Sequence, residues 1–284
     1  MEYLSELTIN SFIRLALAED VGAGDHSSLA CVPSDSVGKA TLKCKDEGIL
    51  AGLSLAERIF LLVDNQLKNT SYIRDGQDIK YGDIILDVEG SQQSILKAER
   101  LMLNCMQRMS GIATYTKSLS SMIAHTSTKL LDTRKTTPNF RIMEKWAVLI
   151  GGGENHRYNL EDMNMLKDNH IDSAGGITKA LQQTAEYVKE KKLDIKVEIE
   201  TRNIEEVKEV LAVGLVDRIM LDNFDIPTTV EALKLINGQY ETECSGGITE
   251  KTIVSVAETG VDYISVGALT HSFKSLDLSL KIQK

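Results

Sequence analysis

The sequence is short of positive charge. Over 284 residues, 32 Lys and Arg stand against 41 Asp and Glu, a formal net charge of -9. That balance argues against general nucleic-acid binding, which needs a basic footprint. No apolar run approaches the ~20 residues of a membrane span. The opening MEYLSELTIN lacks the basic region and apolar core of a signal peptide. Cysteine is scarce too: Cys31, Cys44, Cys105 and Cys244 lie far apart with no CxxC pair. That spacing suits buried thiols in a reducing cytoplasm better than zinc or disulfides. There is also no HExxH, no P-loop lysine motif and no Ser-His-Asp set around a nucleophile elbow. The expectation is a soluble cytoplasmic globular protein with ample core, forming one large domain or two ordinary ones.

Two rhythms organise the chain. Residues 8–20 read as a helix that breaks at VGAGDHSS, where two glycines mark a turn. In GKATLKCKDEGILAG the residues Ala40, Leu42 and Cys44 face one way and Lys39, Lys43 and Lys45 mostly the other, the period of a half-buried strand. A helix around Ser54–Leu62 and short apolar strands between DGQD and KYGD complete a small sheet with antiparallel strands. The helix SILKAERLMLNCMQRMSG carries an apolar stripe of Ile95, Ala98, Met102, Cys105, Met106 and Met109, with Ser94 as its expected cap and Gly111 as its expected end. Arg100 falls nearly opposite that stripe, beside Lys97, Asn104 and Gln107. By itself such an Arg reads as a solvated residue. From about Thr114 the pattern alternates strand and helix through KLLDT, DIKVEIE, DRIMLD, YETECS and DYISVG. This implies parallel strands with crossover helices, in a barrel or, on pattern alone, an open doubly wound sheet.

Against the acidic background one stretch is cationic. Between Lys129 and His170 lie Arg134, Lys135, Arg141, His156, Arg157, Lys167 and His170, with a glycine triplet among them. Clustered guanidinium and ammonium groups hold phosphates or carboxylates through charge-assisted hydrogen bonds; any single Lys there reads equally well as part of a solvated face. In a parallel α/β fold the site lies at the carboxyl ends of the strands. Here those ends carry Thr133-Arg134-Lys135, Glu200, Asp222-Asn223, Ser245-Gly246-Gly247 and Val266-Gly267-Ala268. The glycine turns offer backbone N–H groups to a monophosphate, although such turns before helices are common. Glu200 and Asp222 can accept from ribose hydroxyls or hold Mg²⁺ through its waters; their ordinary alternative is strand-end capping. Together they look like a phosphosugar site.

At these residues the chain resembles the quinolinate phosphoribosyltransferase family. The likeness runs through EDVGAGDHSS, AERLMLNCMQRMSGIAT, LDTRKTTPNFR, GGGENHRYNLEDMNMLKDNH, KVEIE, LDNF, SGGIT and ETGVDYISVGALTHS, in order. DTRKTTP, GGG-NHR and KDNH carry the specificity. Two departures are small: Asn139 stands where glycine is usual, and Ser27-Ser28 replace a Thr pair. Asn tolerates the left-handed backbone that such a turn needs.

The resemblance implies an α/β fold: an N-terminal α/β sandwich over residues 1–113, an incomplete TIM-like α/β barrel over 114–270, and a C-terminal helix over 271–284 returning to the sandwich. It implies that Arg134, His156, Arg157 and Lys167 hold quinolinate, with Thr133 beside them and Lys135 near pyrophosphate. Glu200 and Asp222 would bind the ribose hydroxyls and Mg²⁺ of phosphoribosyl pyrophosphate, and Ser245–Gly247 and Val266–Ala268 its 5-phosphate. It also implies a homodimer in which Arg100 completes the neighbouring site. The rival readings are a branch of the same fold associated with molybdenum-transport genes, a catalytically silent phosphoribosyl-ligand sensor, and a Schiff-base barrel using Lys135 or Lys167.

Overall fold

The computed structural model describes residues 2–283 and groups the chain into two compact units, one formed by Met1–Lys117, Thr136–Gly152 and Ala268–Lys284, the other by Ser118–Lys135 and Gly153–Gly267. In chain order the elements are α1 (Glu6–Val21), α2 (His26–Cys31), β1 (Val37–Cys44), β2 (Gly48–Ile49), α3 (Leu53–Val63), β3 (Lys68–Ser71), β4 (Asp78–Ile79), β5 (Ile84–Ser91) and α4 (Gln92–Met122). They continue with β6 (Lys129–Leu131), α5 (Arg141–Ile150), β7 (Met163–Leu166), α6 (Asp168–Ala174), α7 (Ile177–Lys191), β8 (Lys196–Thr201) and α8 (Ile204–Val213). The last are β9 (Arg218–Asp222), α9 (Ile226–Ile236), β10 (Glu241–Ser245), α10 (Ile253–Ala257), β11 (Tyr263–Ser265), α11 (Ala268–His271) and β12 (Leu278–Ile282). Among the described residues no helix is long and apolar enough to cross a membrane.

The first unit is built on an antiparallel sheet of order β12-β1-β5-β3. The alternation in β1 works as the pattern requires: Ala40, Leu42 and Cys44 are fully buried, and Leu42 lies opposite Leu86 on one side and Leu280 on the other. On the opposite face the nearly buried Asp87 accepts from Thr41 at 2.7 Å, Tyr72 at 2.9 Å and Lys39 at 2.8 Å. Burial alone would raise its pKa, and these three donors hold it below the usual range. The expected C-terminal helix is instead a strand, β12, antiparallel to β1. LSLKI has the period of two, with Leu278 and Leu280 buried and Lys281 exposed, and pairing with β1 satisfies its backbone.

Helix α4 also corrects the sequence reading. It begins at Gln92, where Ser91 Oγ accepts from Ser94 N at 3.3 Å, while the Ser94 hydroxyl donates to Asp64. It then runs through Gly111 to Met122 without a break. Gly111 is there for close approach, since a Cβ would overlap the Lys274 carbonyl oxygen and Ser275 Cα. The polar intrusions on α4 have partners: Ser110 accepts from Ala51 N at 2.9 Å, and Thr114 accepts from Ile49 N at 2.8 Å. The stripe from Ile95 to Met109 is buried as the spacing predicts, and Arg100 is exposed.

The second unit is a parallel sheet of order β6-β11-β10-β9-β8-β7. A parallel bridge from Leu131 to Glu154 extends it beyond β6. Among the described residues no ladder joins β7 back to that bridge, so the barrel is incomplete. All five strand candidates of this half are present; β7 and the Glu154 bridge carried no periodic signal. Helices α8 and α9 end at residues with left-handed backbone, Gly214 and Asn237.

Gly111→Ala tests the close approach. The methyl would gain roughly 1 kcal/mol of helix propensity, yet overpacking against backbone costs roughly 1–3 kcal/mol. Thermal melting should show Tm falling by a few degrees, at roughly 2–4 °C per kcal/mol. An unchanged or higher Tm would show that the Lys274–Ser275 backbone yields.

Candidate active site

The carboxyl ends of the parallel strands carry nearly all the residues singled out by the sequence. Thr133, Arg134 and Lys135 follow β6, His156 and Arg157 follow the Glu154 bridge, and Lys167 follows β7. Glu200 lies near the end of β8, Asp222 ends β9, Ser245 ends β10, and Val266 and Gly267 follow β11. One unit thus gathers them on neighbouring strands in sheet order. Arg100 and Ala268 belong to the other unit. There Arg100 lines a hollow of about 400 Å³ with Lys45, Glu99, Gln107, Asp277 and Lys281.

The cations follow the strands at the two ends of the sheet order, β6 with its bridge and β7. Burial, and after it the Arg134 guanidinium, pushes the pKa of Arg157 below its ordinary value, which is what like charges held together in a half-buried place must do. The Arg157 side chain donates to Met163 O at 3.1 Å. Its loop is pinned by Asp162, which accepts from Tyr158 N at 2.6 Å and Asn159 N at 3.3 Å. Lys135 N donates to Thr133 Oγ1 at 3.0 Å, holding the turn after β6. Lys167 opens α6, its backbone N–H donating to His170 Nδ1 at 3.0 Å, and its ammonium pairs with Glu200 at 3.0 Å. Asn139 has φ 62, the left-handed conformation its place required.

Below these ends the interior of the sheet is charged where an α/β barrel usually packs branched apolar side chains. By the period of two, Glu198 and Glu200 share a face of β8, and Glu241, Glu243 and Ser245 share one of β10. His156, its side chain 5% exposed, places Nε2 3.0 Å from Glu198 and 3.3 Å from Glu243. Nδ1 accepts from Arg157 N at 2.7 Å. Burial alone would lower the His156 pKa, but the two glutamates facing Nε2 raise it to about 9. The Arg157 N–H aimed at Nδ1 favours the neutral ring; in either form the Nε2 proton faces the glutamates. Burial, then the charge of Glu243, pushes Glu198 up. Against its own burial, Glu243 is held down by His156, Ser265 and Arg218. Arg218 meets Glu243 at 3.0 Å and Glu241 at 3.0 Å, and stacks over Tyr263 at 4.0 Å. Glu241 then pairs with Lys196 at 2.9 Å.

Central members of this assembly escaped the sequence reading, among them Glu198, Arg218, Glu243 and Asp132. Asp132 is fully buried and accepts from His156 N at 2.9 Å and Asn155 Nδ2 at 2.6 Å, fixing the loop that presents Arg157. The available signal was charged residues inside strand patterns, two positions from Glu200 and from Ser245.

On the β9–β11 side Asp222 accepts from Ser245 Oγ at 2.5 Å. Gly246 and Gly247 follow with φ 91 and 60, and the space a side chain would fill at Gly247 is open, leaving room for a ligand against the turn. The Val266 N–H donates to Leu131 O at 3.0 Å, so it is not open to a phosphate.

A cationic floor, two strand-end carboxylates and glycine turns on one parallel sheet define a phosphosugar-transferring α/β enzyme. Residues 25–110 match the N-terminal domain of quinolinate phosphoribosyl transferase and residues 112–281 its C-terminal domain. Over 96% of this chain and 82% of that protein, the sequence is 48% identical to quinolinate phosphoribosyltransferase [decarboxylating] 2b, mitochondrial, of Nicotiana tabacum. It is 39% identical to the probable nicotinate-nucleotide pyrophosphorylase [carboxylating] of Bacillus subtilis, over 98% of this chain and 95% of that one. Among solved structures, NadC from Streptococcus pyogenes superposes with a TM-score of 0.92 at 40% identity, covering 99% of both chains. The chain therefore belongs to the quinolinate phosphoribosyltransferase family and is an enzyme of that class, a phosphoribosyltransferase.

The buried charges make a contrast between two neighbours on β10. Glu243→Gln leaves Arg218 and His156 without their shared buried anion. Breaking such a pair costs roughly 3–5 kcal/mol, so Tm should fall by about 10 °C or more. Glu241→Gln, at a part-exposed pair, should cost about 1 kcal/mol or less. Equal Tm values for the two variants would refute this account of the interior.

Proposed function

We propose that the chain transfers the phosphoribosyl group of phosphoribosyl pyrophosphate to quinolinate with Mg²⁺ and decarboxylates the adduct, giving nicotinate mononucleotide, pyrophosphate and CO₂. The observation that carries the reading is that Arg134, Arg157 and Lys167 all stand at strand ends of one sheet, where burial first and then the charge of Arg134 disfavour the charged form of Arg157. A dianionic acid relieves that repulsion, and two guanidinium forks suit two carboxylates. Lys167 and Thr133 complete the pocket; His156, expected among the quinolinate ligands, is instead given a role beneath them, because its Nδ1 accepts from Arg157 N and its Nε2 faces Glu198 and Glu243.

The donor would lie over β8–β11. Glu200 and Asp222 face the ribose hydroxyls, Lys135 the pyrophosphate, and the turns Ser245–Gly247 and Val266–Ala268 the 5-phosphate. The residues present fit Mg²⁺. Among the described residues the only tight cluster of potential ligand atoms is His156, Glu198 and Glu243, and Arg218 already compensates it. Glu200 and Asp222 form no closed cage, which suits an ion that keeps its waters and binds through one or two carboxylates plus substrate phosphates. Bound there, Mg²⁺ would offset the charge of the departing pyrophosphate. The pyridine nitrogen attacks C1 of the ribose as the C1–O bond to pyrophosphate breaks, through an oxocarbenium-like transition state. The enzyme's part is position and electrostatics: Arg134, Arg157 and Lys167 hold the acid, and Glu200 and Asp222 lie near the cationic sugar. Once ribosylated, the ring nitrogen is cationic and accepts the electron pair left when the C2 carboxylate departs as CO₂. C2 then takes a proton. No protein nucleophile is needed, and the Lys167–Glu200 ion pair is unlike the apolar setting of a Schiff-base lysine. Four free thiols, three of them buried, support a reducing compartment such as the cytoplasm.

Purified protein mixed with quinolinate, phosphoribosyl pyrophosphate and Mg²⁺ should release nicotinate mononucleotide and CO₂ in equal amounts, and nicotinate in place of quinolinate should give no product. Binding without turnover would point to a sensor, and indifference to quinolinate to the molybdenum-associated branch. Arg134→Ala and Lys167→Ala should each abolish measurable quinolinate binding in calorimetry with the fold intact; retained affinity in both would remove those residues from the site.

We also propose a homodimer in which Arg100 serves the partner's site. Arg100→Ala and Lys167→Ala proteins, each inactive, should regain roughly a quarter of wild-type activity when mixed and exchanged, because half the dimers are hybrids with one intact site of two. No recovery despite subunit exchange would place Arg100 elsewhere.

A further inference from the structure

Asp222 is held from both sides, and one of its holders is a residue that no substrate-binding role explains. Ser245 Oγ donates to Asp222 Oδ1 at 2.5 Å, and Asn223 Nδ2 donates to Asp222 Oδ2 at 2.6 Å. The second atom must be the amide nitrogen, because an ionised carboxylate only accepts. Asn223 has φ 57, and its own N–H donates to Ser245 O at 2.9 Å, carrying the β9–β10 register of Asp222 opposite Ser245 one step further. Asp225 already caps α9, accepting from Thr228 N at 2.9 Å, so the chain turns from strand to helix within three residues. The neighbouring Gly246 has φ 91, and a Cβ there would overlap the Asn223 side-chain amide and lie 3.0 Å from its backbone nitrogen.

We infer that Asn223 is a positioning residue for the Mg²⁺-bound phosphoribosyl donor, with Gly246 kept bare to make room for it. The place demands two properties at once. The backbone must be left-handed, which glycine and asparagine accept most readily, and the side chain must donate to a carboxylate, which glycine and aspartate cannot do. Asparagine meets both. With one bond on each oxygen, the plane of the Asp222 carboxylate is set while each oxygen keeps a lone pair for a metal-bound water or a ribose hydroxyl. The orientation is fixed before the donor arrives, so binding does not have to supply it.

This inference rests on the function proposed above, and the test separates the two. Asn223→Gly keeps the left-handed backbone and removes only the amide. Titration calorimetry with Mg²⁺ and phosphoribosyl pyrophosphate should show donor affinity weakened about 10–100-fold, the range for loss of a partner that orients a metal-facing carboxylate. Mn²⁺ binding in the presence of the donor, read by electron paramagnetic resonance, should weaken in parallel. Quinolinate affinity and Tm should stay near wild type, which a general loss of structure would not allow. Gly246→Ala displaces the amide without removing it and should show the same loss. The double variant should bind the donor no worse than Gly246→Ala alone, since both changes act through one contact. Full additivity in the double variant, or unchanged donor affinity in both single variants, overturns the latch alone. Absence of donor binding by the wild type overturns the latch together with the proposed function.

Discussion

Everything at the strand ends depends on charge being balanced beneath them. Glu198 and Glu243 are fully buried, and an unpaired carboxylate in such a place costs several kcal/mol. The unit answers with His156 from above and Arg218 from below, and Arg218 shares its other face with Glu241 and Tyr263. The imidazole is thus committed downward, and its ring nitrogen and backbone N–H become the anchor for the Asn155–Arg157 loop. A cluster of like charges above a balanced ionic core can stay poised for an anion without unfolding the sheet beneath it. Apolar packing would be cheaper and at least as stable, so the ionic core is best understood as the means of holding one loop in one place.

The other half of the site is held by geometry more than by charge. Asp222, Ser245 and the left-handed residues at 223, 246 and 247 form a short mutual brace in which each backbone conformation is what lets the next side chain fit. The two halves meet at the Lys167–Glu200 pair. It joins the cationic strands to the acidic ones, so the groups proposed to hold the acid and the sugar are set relative to each other by a direct bond.

Much of this was legible in the sequence, for identifiable reasons. KVEIE, DRIMLD and DYISVG are apolar runs ending in polar residues, and a parallel sheet puts such ends together. Asn139 could be read as left-handed because few other residue types take a glycine's place in a turn. The misreadings also have causes. Gly111 looked like a helix end, yet it sits in mid-helix to admit the backbone of Lys274 and Ser275, a long-range contact with no local trace. LSLKI is short enough that period two and period 3.6 differ little, and the choice fell to pairing with a strand some 240 residues away, as in Leu42 opposite Leu280. The glutamates at 198 and 243 drew no reading of their own, since alternation says which residues share a face and not whether water lies on it.

The late strand β12 has a consequence for how the protein is made. Strand β1 lies between β12 and β5 in the first sheet, and a ribosome delivers β1 and β5 long before residues 278–282. Until those residues emerge, β1 has one row of unpaired backbone groups along an edge that carries Ala40, Leu42 and Cys44, the kind of edge that recruits other strands. Assembly of the first unit therefore waits for residues 278–282, and that edge stays open while all the chain between β5 and β12 is made.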